Sequence, residues 1–251
     1  MKKTTLKVIT IVLAIGLALT CFVGLAACNK DKNEPTPTQI SNEELYNAAV
    51  RDAVFADEDE ILPLINITKD SPDVIWDGDR VLMVFMHKYP SSYVAGTNMS
   101  LQWSNVWCVS AAEIYKWVKN NADATDWTLR LHQGLGMYTT KNYNSLTAVW
   151  VDADVLYRPA YVTDTTAKMA NTLQKTGDEA FDDAFKVWFD ENTIGSYFDG
   201  AYPWTRLGYT YDWADNGTEY GMSEFIIPQN TNVYVEYTYS VEEFVTFAKN
   251  A

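Results

Sequence analysis

Histidine and cysteine are scarce in this chain of 251 residues: there are two of the first and three of the second. The spaced Cys and His of a zinc site are therefore missing. His87 and His132 are the only imidazoles on offer as a general base. A P-loop and a Gly-x-Ser-x-Gly nucleophile elbow are missing too. Positive charge is short: 19 Lys and Arg stand against 33 Asp and Glu, a formal charge of −14. That balance repels nucleic acid and anionic headgroups, so nucleic acid is not an expected partner. It is the balance of a soluble acidic surface, or of one that attracts cations such as Ca²⁺ or basic peptides. No internal repeat and no second linker interrupts the sequence.

One long apolar run is present, from Val8 to Ala27, with Thr10 and Thr20 as its only hydroxyls. Lys2, Lys3 and Lys7 precede it, which is the layout of a secretory signal. The run is long enough to span hydrocarbon, so a permanent transmembrane helix is the alternative. Its small-residue end, the Cys that follows at once and the lack of a basic stop-transfer cluster favour the signal. Leu25-Ala26-Ala27-Cys28 resembles the lipobox of bacterial lipoproteins. The resemblance covers residues 1–28. It implies cleavage before Cys28, acylation of Cys28 and attachment through that lipid to a cell membrane or outer membrane.

The domain organisation expected on this basis is a signal peptide over 1–27, a lipidated Cys and tether over 28–40, and a single domain over 41–251. Loss of the signal takes three Lys and no acid, leaving 16 bases against 33 acids and a formal charge of −17. Cys21 leaves with the signal and Cys28 carries lipid, so Cys108 is alone and no intramolecular disulfide can form. The tether, with Pro35 and Pro37, reaches roughly 20 Å as a flexible coil. Stability must come from the core, and 9 Trp, 16 Tyr and 10 Phe supply it. Rings left outside the core, together with acids and amides, would suit an extracellular ligand such as a sugar.

Three Ser-x-x-Glu signatures mark helix starts, at Ser41–Glu44, Ser110–Glu113 and Ser240–Glu243. The first helix is expected to run to about Phe55, with Tyr46, Ala49, Val50, Ala53 and Val54 on its apolar face. Another is expected from Thr176 to near Gly195, on the stripe Phe181, Ala184, Phe185, Trp188 and Phe189. Val81 to Met86 reads as a strand buried on both faces. Leu101–Val109, Leu146–Val151 and the segment 202–239 read as further strands, with Asn216-Gly217 as a hairpin turn. Val233, Val235, Tyr237 and Tyr239 alternate and should share one face. Trp127 to Leu131 fits a short strand or a short helix. The expected fold class is α+β, with a mixed or mainly antiparallel sheet and about four helices.

Few residues could carry chemistry. Cys108 stands just ahead of a helix start, where the macrodipole can lower a thiol pKa. With His87 or His132 as base, that placement is similar to Cys–His hydrolases of the cell envelope. A buried Cys between Trp107 and Val109 is the other reading. His132 lies in Leu131-His132-Gln133-Gly134-Leu135-Gly136, either a ligand-approach loop or one with structural glycines. Asp212, Asn216 and Gly217 match positions 1, 5 and 6 of a calcium loop, but Ala214 and Ser223 break the pattern, so no metal site is expected. No cofactor is expected from these residues.

The stretch Ser223-Glu224-Phe225-Ile226-Ile227-Pro228, followed by a turn and Val233-Tyr234-Val235, resembles the last motif of arginine-type ADP-ribosyltransferases. The resemblance covers about 13 residues and implies that Glu224 is catalytic. Arg158, in Leu156-Tyr157-Arg158, would match the family's Arg on an early strand. The family's earlier acid is Met222 here, and no Ser-Thr-Ser strand lies between the two. The structural alternative is a strand residue whose partly shielded carboxylate meets Arg206. Binding of an extracellular ligand by a non-enzymatic domain is the first expectation. An enzyme centred on Glu224 or Cys108 is the second.

Overall fold

Six consecutive apolar residues, Val81 to Met86, fix the centre of the sheet, because both of their faces must be covered. The computed structural model describes residues 40–199 and 202–251. The signal, Cys28 and the tether up to Gln39 lie outside the described residues.

In chain order the elements are α1 (Asn42–Asp52), β1 (Trp76–Asp77), β2 (Arg80–His87), β3 (Asn98–Ser100), β4 (Val106–Ser110), α2 (Ala111–Asn120) and α3 (Trp127–Gly134). There follow β5 (Ser145–Asp152), α4 (Glu179–Ile194), β6 (Tyr209–Tyr211), β7 (Tyr220–Ile227), β8 (Asn232–Ser240) and α5 (Val241–Asn250). The sheet order is β3-β8-β5-β2-β4-β7-β6, with β1 hairpinned onto β2, and every pairing is antiparallel. The fold is therefore α+β. Helices α2, α3 and α5 cover one face, over Leu82, Val84, Leu146, Ala148 and Met222. Loops cover the other, over Val81, Met83, Phe85, Cys108 and Phe225.

The structure decides one open reading and departs from the sequence expectations at three places. Residues 127–134 form a fifth helix among the described residues, capped by Asp126, whose carboxylate accepts from the Leu129 amide at 2.9 Å. Its last residue is a glycine for steric reasons. A Cβ on Gly134 would stand 2.3 Å from the Trp117 ring, and one on Gly221 would stand 2.2 Å from the Gly134 carbonyl oxygen.

The strand expected over 101–109 begins only at Val106. Leu101 bonds instead to the β7–β8 turn, donating to Thr231 and accepting from Asn230, and the chain bends through Trp103.

The alternation of β8 is broken. Ala148 pairs with Tyr237 and Val149 with Val235, so Glu236 is an extra residue on β8. This bulge turns Val233 and Val235 to the loop-covered face and Tyr237 and Tyr239 to the helix-covered face.

Finally, two of the three capping boxes form, at Ser41–Glu44 and Ser240–Glu243, but the middle one does not. Ser110 donates to the Asp73 carbonyl at 2.5 Å, and Glu113 turns away from the helix.

Candidate functional site

Cys108 sits on β4 with its side chain on the loop-covered face. It is 3 % exposed, its thiol is directed at the Phe225 carbonyl 3.5 Å away, and burial pushes its pKa well up. Burial thus outweighs the nearby helix start. His87 is no base for it. Nε2 faces Thr147 Oγ1 at 2.7 Å, and Nδ1 accepts from the Tyr89 amide at 3.1 Å, so both nitrogens are engaged. Burial lowers the His87 pKa to about 4, which keeps the ring neutral at pH 7. His132 is on α3, buried; its Nε2 donates to the Tyr143 carbonyl at 2.9 Å. Neither ring bonds to Cys108. The expected consequence is a thiol that does not react with a disulfide reagent near neutral pH in the native chain and titrates fully after denaturation. Fast native reaction would contradict this placement.

Arg158 and Glu224 fall on opposite faces of β7. Tyr157 bridges Ile226, which sets Arg158 beside Phe225 with its guanidinium 5.0 Å from that ring, on the loop-covered side. Glu224 pairs with Val109 and shares the helix-covered side with it. The two side chains therefore do not meet in one cleft. Arg158 is fully buried. Its Nη2 donates to the Ile65 and Thr165 carbonyls, both at 2.8 Å, and its Nε to the Asp164 carbonyl at 3.2 Å. These bonds tie the loops 61–75 and 153–170 to each other.

The Glu224–Arg206 contact does not form. Arg206 adopts a positive φ of 60° and reaches back to the end of α1, donating to the Val54 carbonyl at 2.5 Å and the Ala53 carbonyl at 3.2 Å. Those carbonyls follow the last turn of a helix, where a cation is favoured. Glu224 is half-buried, between Met222 and Ile226 along its strand, and burial pushes its carboxyl up to about 8.

Glu113 was not singled out by the sequence, because its position in a Ser-x-x-Glu signature accounts for it as a cap. At Ser110 the chain leaves the sheet for α2, so β7 loses its partner on the β4 side and the Ser223 amide there would be orphaned. Glu113 fills the gap. Its two oxygens accept from that amide at 3.0 and 2.9 Å, and from the Tyr220 hydroxyl at 3.0 Å. Burial raises its pKa to about 7, against the lowering by these bonds.

Two clusters were also hidden by sequence distance. Asp52, Glu60 and Glu219 bring carboxylate oxygens within 4.8 Å of one another. Tyr211 donates to Asp52 at 2.8 Å, and Tyr209 donates to Glu219. Burial, then mutual repulsion, raises the proton affinity of Glu60 and Glu219. Asp212, of the calcium-like pattern, is taken by Arg130 in a two-pronged pair at 2.9 and 2.5 Å and also accepts from the Ala214 amide at 3.1 Å. It holds the β6–β7 connection.

Several large apolar side chains are open to solvent, Val94, Val187, Phe55 and Phe198 among them. Trp103 is 87 % exposed and Trp107 is 36 % exposed, its ring 5.9 Å from those of Trp188 and Trp204. Asn105, between them in sequence, is locked: its Oδ1 accepts from the Gln229 amide at 2.9 Å and its Nδ2 donates to the Tyr157 hydroxyl at 3.2 Å. Trp103 therefore rides on a hydrogen-bonded loop, and Trp107 on the strand that follows it.

Comparison of the chain with protein-family models, with curated proteins and with solved structures finds no match. Among the described residues no helix is long and apolar enough to cross a membrane.

Proposed function

We propose that this is an exported protein, held to a cell membrane or outer membrane by lipid on Cys28, whose acidic, aromatic-rich domain binds an extracellular ligand. One observation carries the binding half of this reading: Trp103 stands in solvent on a loop that Asn105 locks, next to the partly exposed Trp107 at the start of β4. Indoles are costly to leave in water, and such exposure marks recognition surfaces. The groups that could do chemistry support the same reading. Cys108, Arg158 and His132 are buried structural members, and His87 has both nitrogens engaged.

The anchoring half rests on the order of residues 1–28: positive head, apolar run, Leu25-Ala26-Ala27-Cys28. Each buried acyl methylene contributes about 0.8 kcal/mol, and more than one chain is needed for stable attachment. Metabolic labelling with an alkyne fatty acid tests it. The wild-type chain takes up label, and Cys28→Ala accumulates as unlabelled precursor or is released. Label persisting on Cys28→Ala would refute the anchor.

One observation favours a second reading, an enzyme of ADP-ribosyltransferase-like type: Glu224 has a carboxyl pKa raised to about 8, a perturbation common at functional sites. Arg158 on the opposite face weighs against it.

A further inference from the structure

We propose that the tip of the sheet carrying Trp103 and Trp107 is a platform for a neutral polysaccharide; this rests on the ligand-binding reading above and names the class of ligand.

Charge sets the tip apart. Residues 89–112 contain no Asp, Glu, Lys, Arg or His, and neither do residues 225–235, in a chain of formal charge −14. The fold brings these two uncharged stretches together. Strand β3 pairs with β8 and β4 with β7. Leu101 donates to Thr231 at 2.9 Å, Asn230 donates to Leu101 at 2.8 Å, and the Gln229 side chain donates to the Gln102 carbonyl at 2.6 Å. Trp103 stands within this patch, and Trp107 stands where it meets Trp188 of α4.

The chemistry of the patch selects its occupant. Indole faces stack on the C–H faces of pyranose rings, and amides exchange hydrogen bonds with sugar hydroxyls, without any formal charge. A polyanion meets the repulsion of the acidic chain, which acts over about 8 Å at physiological salt. A polycation is drawn to the acidic surface elsewhere, not to an uncharged tip. Two separate indoles suit a chain of sugars more than one ring. The hydrogen bonds that fix Asn105 hold the loop before a ligand arrives, so little ordering cost remains on binding.

The test is retention of the full chain, in detergent, on insoluble neutral polysaccharides (cellulose, curdlan and mannan). Polygalacturonate gel and casein-agarose form the charged and protein arms. Retention on at least one neutral polymer is expected, weakened about tenfold in Trp103→Ala, a surface position whose loss leaves the circular dichroism unchanged. Trp107→Phe, which keeps a ring against Trp188 and Trp204, should weaken it as well. No retention on any neutral polymer would overturn the proposal, and so would retention that neither variant changes. Retention on polygalacturonate or casein that Trp103→Ala abolishes, with none on the neutral polymers, would overturn the ligand class while leaving the ligand-binding reading in place.

Discussion

Arg158→Ala is expected to lower the melting temperature by about 10 °C or more. The side chain is fully buried, and its truncation removes its bonds to the Ile65, Asp164 and Thr165 carbonyls, of which Thr165 keeps only the Ile67 amide. A cavity also opens over the Phe225 ring. Loss of these charge-assisted hydrogen bonds together with the cavity costs about 3–5 kcal/mol. In a domain of this size each kcal/mol is worth roughly 2–4 °C. Arg206→Ala is the control. That arginine is half-buried and serves two carbonyls at the end of α1, so its loss should cost about 1–2 kcal/mol. Thermal unfolding followed by circular dichroism reads both. An Arg158→Ala chain melting within 2 °C of wild type would mean that Arg158 is free for another role.

The second large effect concerns pH. Burial raises the Glu224 carboxyl from 4.5 to about 8 and the Glu113 carboxyl from 4.5 to about 7. Between the unfolded and folded values the folded chain binds more protons than the unfolded one, so stability falls as pH rises through that window. His87 acts on the acid side. Its pKa is lowered from 6.5 to about 4, so the unfolded chain binds more protons there and stability falls as pH drops through that interval. The melting temperature should therefore peak at about pH 5 and decline toward pH 9. Glu224→Gln keeps the shape and cannot ionise. It should match wild type near pH 5 and exceed it at pH 8 by a few kcal/mol, since each unit of pKa displacement is worth about 1.4 kcal/mol. Parallel pH profiles for the two chains would show that Glu224 is solvated in the fold.

Local chemistry made much of this fold legible. Ser41 and Ser240 cap their helices because nothing else competes for their side chains. Ser110 and Glu113 carry the same signature, but a strand ends there, and the orphaned Ser223 amide draws the glutamate away. Only the pairing of distant strands reveals that competition. The face of β8 changes at Glu236 because β5 and β8 slip by one residue, and alternation within β8 alone does not contain the slip. Burial of Arg158 is equally invisible, since an arginine after Tyr157 reads as a surface residue until three loop carbonyls close on it. At the candidate site, the uncharged, aromatic character of residues 89–112 is plain in the sequence. That Trp103 stands in solvent is not, because the bend that exposes it is fixed by Leu101 and Asn105 bonding to the β7–β8 turn.

Arg158 and Glu224 lie on opposite faces of β7 and form no shared cleft, and the surface proposed for binding is the aromatic tip. Turnover of NAD⁺ by the purified full chain, set beside Glu224→Gln, tests this arrangement most directly. Neither protein is expected to consume NAD⁺ above the buffer rate. Turnover by wild type that Glu224→Gln abolishes, with its circular dichroism unchanged, would contradict it and make the chain an enzyme.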